Sequence, residues 1–180
     1  SDKGLCGGLN TTILRKVLSE IRQWQTNGLM TEACCIGNKG LGFISRLGVN
    51  VVSQTTGLGD KPSMERLIGA VKVVLDTYVE RKFDKVFIFY TRFINTMKQE
   101  AVMEQLLPLT DERIKVSGAE RKRVSWDYVY EPEAKLVIDD IMIRYIETIV
   151  YQAVAENMAS EQSARMVAMK AASDNAGNLI

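Results

Sequence analysis

The sequence predicts a layered α/β fold that gives way to one long C-terminal helix, and three observations carry that reading. Amphipathic helical stretches alternate with short apolar or β-branched runs in the first part of the chain. The run DKVFIFYT is apolar on consecutive positions, the pattern of a central strand covered on both faces, as parallel strands are. From Glu133 to Ala176 there is neither glycine nor proline, while apolar positions keep a helical rhythm.

Taken in order, Ile13, Leu14, Val17, Leu18, Ile21 and Trp24 recur at helical spacings, with Arg15, Lys16, Glu20 and Arg22 between them. This predicts a helix over 11–26, capped by Asn10, Thr11 or Thr12 and ended by Asn27-Gly28. TEACCIG, KGLGFISRLG and VNVVSQT read as strand, short helix, strand. Pro62-Ser63 opens a second amphipathic helix, with Met64, Leu67, Ile68, Val71, Val74, Leu75 and Tyr78 on one face, ending near Lys82. TMKQEAVMEQLLPL and SWDYVYEP read as two further strands, paired through the charged loop TDERIKVSGAERKR, itself a solvated connection. The domains are expected at 1–131, an α/β globular unit, and 132–180, a shaft-like helix. An unbroken helix of about 44 residues would run roughly 65 Å, against a diameter of about 40 Å for a compact body of this size, so it must leave the body; the alternative is a run broken by N-caps at the SEQ and SDN stretches into two helices packed on the core.

Composition narrows the function. Among 180 residues, 23 basic and 22 acidic side chains leave a net charge of +1, with no basic surplus for nucleic acid. No apolar run approaches the roughly 20 residues of a membrane span, and no signal peptide opens the chain, so a cytoplasmic setting is expected. Histidine is absent, which removes the commonest general base and metal ligand. Three cysteines suit neither a disulfide framework nor a zinc site.

The opening GLCGGLN has the general form of a glycine-rich turn before a helix, which binds anions through backbone N–H groups. It matches neither the dinucleotide nor the P-loop pattern, and glycine as a backbone joint explains it more simply. A small nucleotide- or phosphate-binding α/β enzyme using residues 4–8 stands as the alternative function. Cys6, ahead of a helix and beside Lys3, reads as a packing residue. Cys34 and Cys35 read as core thiols, with a redox pair as a further alternative. Asp139 and Asp140, adjacent on a helix, point about 100° apart and do not converge. No catalytic, cofactor-binding or metal-binding constellation is expected.

SDKGLCGGLN opening a helix, SWDYVYEP ahead of the last helix, and ENMASEQSARMVAMKAASDNAG within it together resemble the gamma subunit family of bacterial F-type ATP synthases. The resemblance runs from Ser1 to Ile180. It implies a Rossmann-like globular domain followed by a helix that forms part of an antiparallel coiled coil in the intact subunit. It also implies that this sequence lacks the N-terminal helix, the strand leading into SDKGLCGG, and the far end of the shaft. The implied function is that of a non-catalytic central-stalk rotor, carrying torque between the membrane c ring and the catalytic beta subunits and regulating ATPase activity and proton flow. Its implied partners are the alpha and beta subunits, epsilon and the c ring, at the cytoplasmic face of the inner membrane without insertion into it. By resemblance, Gly4, Leu5, Cys6, Ser160, Glu161, Gln162 and Arg165 lie against beta, and Tyr128 and Tyr130 against epsilon or the c ring. A face around Ala164, Ala168 and Ala171 is expected to stand exposed.

Overall fold

The computed structural model describes residues 1–59, 62–109 and 134–178. Helix α1 (Leu9–Thr26) starts earlier than the sequence suggests, and its N-cap is Gly8, with no side-chain cap. The candidate capping side chains are engaged otherwise. Thr12 Oγ1 donates to the Gly8 carbonyl at 3.0 Å, and Asn10 Nδ2 donates to Cys6 Sγ at 3.2 Å. At the other end Gly28, at φ 74°, takes the left-handed turn that β-carbon-bearing residues resist.

Strand β1 (Glu32–Ile36), helix α2 (Asn38–Arg46) and strand β2 (Asn50–Thr55) form a βαβ unit in which β1 and β2 pair in parallel, as the alternation of elements suggests. Helix α3 (Met64–Val79) follows and stops slightly short of Lys82. Strand β3 (Val86–Phe93) is where the expected topology changes. It pairs antiparallel with β4 (Gln99–Leu107), so DKVFIFYT is one arm of a hairpin and not a parallel strand. The five intervening residues, 94–98, are too few for the crossover that a parallel pair requires. Asn95 closes the turn: its Oδ1 accepts the backbone N–H groups of Met97 at 2.9 Å and Lys98 at 2.7 Å. The partner foreseen for β4, SWDYVYEP, lies outside the described residues, as do the charged loop and the expected domain boundary.

Helix α4 (Ala134–Gly177) is a single run of 44 residues. Its first core cluster joins Ile146, Val150 and Val154 to Leu67 and Val71 of α3 and to Leu106 and Leu107 of β4. A second cluster sets Ile21 of α1 against Cys35, Ile44 and Val49 of the βαβ unit. Trp24 links α1 to the hairpin, stacking on Phe87 at 5.2 Å and meeting Phe89 edge-on at 6.2 Å. The burial of α4 ends near Ser163, and residues 171–178 are all exposed, so the helix runs past the body.

The exposed face of that helix differs from the expected one. Ala164 and Ala168 are half-buried, whereas Met166, Val167, Met169 and Ala171 are exposed. Small residues do admit a close neighbour here, but it is the opening loop: a methyl added at Gly7 would lie 4.0 Å from Ala168 Cβ.

Candidate functional site

The chain's first residues and the middle of α4 meet at one corner. Ser1 and Asp2 are tied to the start of α2, Ser1 O accepting from Lys39 N at 3.0 Å and Asp2 Oδ1 from Asn38 N at 2.8 Å. The chain then passes through Gly4 at φ 77° and Leu5 at φ 60° before α1 begins. Arg165 reaches over from α4, and its Nε and Nη2 both donate to the Gly4 carbonyl at 3.3 Å. The same guanidinium forms an ion pair with Glu161 and donates from Nη1 to Gln162 Oε1 at 2.9 Å. Gly4, Leu5, Glu161, Gln162 and Arg165 are thus brought together at this corner.

Their exposures separate them sharply. Gly4, Cys6, Ser160 and Glu161 are buried, Leu5 and Gln162 are exposed, and only 14% of the Arg165 side chain remains accessible. Ser160 is fully buried, and its Oγ donates to the Thr91 carbonyl of β3 at 3.1 Å. Two neighbours on its helix face act alike. Asn157 Oδ1 accepts from Thr91 N at 3.2 Å, and Ser163 Oγ donates to Thr96 O at 2.9 Å. This ladder satisfies backbone groups of the hairpin that lie in an otherwise water-poor contact. Asn157 and Ser163 were missed from sequence, although polar residues every third position on an otherwise apolar face were a readable signal. Tyr128 and Tyr130 lie outside the described residues.

The cysteines occupy a different place. Adjacent strand residues point to opposite faces. Cys35 enters the core, whereas Cys34 is exposed, contrary to the expectation of two core thiols. Both line a cleft of about 1120 Å³ whose walls include β1, β3 and Trp24. Among the described residues β1 pairs only with β2 and β3 only with β4, so each keeps an unpaired edge, and residues of both strands line that cleft.

Burial pushes the Cys35 thiol from 9.0 up to about 11, and the neighbouring Cys34 adds to the rise. Desolvation within the cleft also raises Cys34, while a hydrogen bond with Ser53 opposes it. Neither thiol is activated, and they do not face one another as a redox pair does. At neutral pH a thiol reagent should modify Cys34 well before Cys35. The folded state holds Cys35 protonated, so its contribution to stability is full below pH 9 and declines as pH rises toward 11. Equal labelling rates for the two thiols would contradict this arrangement.

Among the described residues no cluster of acidic or cysteine side chains is placed to hold a metal, and no helix is long and apolar enough to cross a membrane. The family model described as ATP synthase matches residues 1–180. The chain belongs to the ATP synthase family. Relatives within it include the ATP synthase gamma chain of Nitrosomonas europaea, 75% identical over the whole of this chain and 62% of the relative's length. The ATP synthase gamma chain of Paracidovorax citrulli is 61% identical with the same coverage. The chain therefore spans about 62% of the length of these relatives.

Solved structures of the family agree on architecture. A chain in the central stalk and c ring of the Tetrahymena thermophila mitochondrial ATP synthase superposes with a TM-score of 0.69 at 25% identity, covering 96% of this chain and 73% of that one. A chain of the Euglena gracilis mitochondrial ATP synthase rotor gives 0.64 at 21% identity, over 99% of this chain and 66% of that one, a likeness of fold. The small sheets and the long last helix are thus those of central-stalk subunits in this family.

Proposed function

We propose that the chain is the foot and lower shaft of a central-stalk rotor in a proton-transporting F-type ATP synthase, carrying torque between a membrane c ring and catalytic beta subunits without performing bond chemistry itself. The observation that carries this reading is α4: one 44-residue helix, bonded along its middle to the hairpin and running on beyond the body. A lever must be stiff and firmly joined to what turns it, and this helix has both properties. Differential contact of the projecting end with the states of each beta subunit then converts rotation into changes of affinity.

The partners in this reading are the alpha and beta subunits around the projecting end, with epsilon and the c ring around the foot, where Tyr128 and Tyr130 meet epsilon or the c ring. The complex places the chain at the cytoplasmic face of the inner membrane, held there by its partners. Of the residues at the α4 corner, exposed Leu5 and Gln162 face beta directly. Gly4, Cys6, Ser160, Glu161 and Arg165 support that surface from within.

The nucleotide-enzyme alternative is less well supported. Gly4, the first glycine of the loop, is buried with its carbonyl held by Arg165, and among the described residues no cationic side chain lines the hollow beside Gly7 and Gly8. The decisive experiment is single-molecule: a probe attached at exposed Met169→Cys in the reconstituted full-length complex should rotate during ATP hydrolysis. A stationary probe in an actively hydrolysing complex would overturn the rotor reading.

A further inference from the structure

The joint between α4 and the hairpin holds one charge that the described residues leave unanswered. Asn157 bonds to the Thr91 backbone, and the next residue on each side, Glu156 and Arg92, adjoin across the joint. Glu156 Oε1 accepts from Gln152 Nε2 at 3.0 Å, one turn back along the helix, while Oε2 is buried and has no donor among the described residues. A carboxylate oxygen in that position has lost water without gaining a hydrogen bond.

The cation at hand is engaged elsewhere. Arg92 stands opposite Glu100 in the ladder of β3 and β4, yet its guanidinium reaches past that residue and pairs with Glu104. Its Nη2 also donates to the Tyr90 hydroxyl at 3.4 Å, and that hydroxyl donates to Glu104 Oε1 at 3.0 Å. Contact with Tyr90 above all raises the guanidinium above its ordinary value; desolvation opposes the rise, and Glu104 and Glu156 both add to it. Two carboxylates therefore compete for one guanidinium, one on the hairpin and one on the helix. Neither has a large advantage. The pair with Glu104 is open to water, with 45% of the Arg92 side chain accessible, and a pair so exposed contributes little. Glu156 offers a more enclosed oxygen, where a charge-assisted hydrogen bond is stronger. Glu104 keeps the Tyr90 hydroxyl when Arg92 leaves, so the move orphans no acceptor.

We infer that Arg92 exchanges between Glu104 and Glu156, an ionic rung that in one position closes the hairpin on itself and in the other ties it to α4. In this structure it holds the first position. Asn157, Ser160 and Ser163 fix where the helix lies, and Arg92 sets how firmly the turn around Glu156 is held. The exchange belongs to the chain itself and does not depend on the rotor reading.

A thermodynamic cycle on the full-length subunit, read from urea unfolding, tests it. Glu104→Gln or Glu156→Gln alone leaves Arg92 one of the two carboxylates, and each should change stability little. Together they remove both, and the unfolding equilibrium should shift toward the unfolded chain by about fivefold or more beyond what the two single effects predict. In Arg92→Met, which keeps an aliphatic stem, the two substitutions should become additive. Strict additivity with Arg92 present would overturn the exchange. Non-additivity that survives Arg92→Met would overturn it too, since that is direct repulsion between the carboxylates. A second measurement does not rely on stability. With isotope-labelled arginine, the Nε–H resonance of Arg92 in the parent should fall between its positions in Glu104→Gln and Glu156→Gln, as the average of two pairings. A resonance unmoved by Glu156→Gln would overturn the exchange whatever the cycle shows. A stationary probe in the rotation experiment would remove the rotor reading and leave both results intact.

Discussion

Ser160→Ala should lower the stability of the full-length subunit by about 1–3 kcal/mol, although it removes a single oxygen atom. The hydroxyl is fully buried and donates to the Thr91 carbonyl, so its loss leaves a main-chain acceptor without a partner in a place water does not reach. Ser160→Leu adds overpacking to the lost hydrogen bond and should cost about 3–5 kcal/mol, enough to lift the helix from the hairpin. Ser163→Ala, at a less enclosed position, should cost about 1 kcal/mol. Urea midpoints for the three variants check the order. A midpoint for Ser160→Ala indistinguishable from the parent would mean that the Thr91 carbonyl has another partner and that the ladder does not bind helix to sheet.

The ladder matters mechanically as well. Apolar contacts between a helix and a sheet are non-directional and permit sliding with little loss. Hydrogen bonds from Asn157, Ser160 and Ser163 to particular backbone atoms fix the position of α4 along the hairpin. In the proposed rotor, torque applied to the foot would therefore reach the helix without slippage. The SEQS stretch that made the sequence recognisable does much of this work inside the subunit, Ser160 and Ser163 on β3 and its turn, Glu161 on Arg165.

Local periodicity was enough to read α1, the βαβ unit, α3 and the full length of α4. Each of these elements is specified by neighbours in sequence: apolar spacing, β-branched runs, and the absence of glycine and proline over the last helix. The direction of β3 was not legible in the same way. A doubly covered apolar run looks alike in parallel and antiparallel pairs, and the deciding feature was the short Asn95 turn after it. At the candidate site, family likeness named Gly4, Leu5, Glu161, Gln162 and Arg165 as contacts of a partner, and the structure sets them at one corner of the chain. Sequence and family likeness could not distinguish buried members from exposed ones, because burial of Arg165 and Ser160 depends on a loop and a hairpin far away in sequence. Cys34 shows the same gap: its strand was foreseen, but its open face was set by a cleft between two small sheets.

Ala171→Pro should uncouple the rotor while leaving its foot intact. Position 171 lies inside α4 but beyond the last buried residues, and its exposed side chain only rims the hollow beside Gly7 and Met97, so the substitution removes no buried contact of the body. Proline there removes the backbone donor that would bond to the Val167 carbonyl, and its ring collides with that turn, at a cost of about 3 kcal/mol borne by the helix alone. The unfolding midpoint of the body should remain at the parent value, and helical circular dichroism should fall only by the amount of the last turns. In the reconstituted complex, ATP hydrolysis should continue while rotation of the Met169→Cys probe and proton pumping decline severalfold, because a kinked lever bends where a straight one pushes. Ala171→Ser, which keeps the donor and fits the exposed position, should change stability by less than about 0.5 kcal/mol and preserve coupling. Undiminished pumping in Ala171→Pro would show that torque leaves the chain below residue 171, and would move the lever into the segment of α4 that lies against the hairpin.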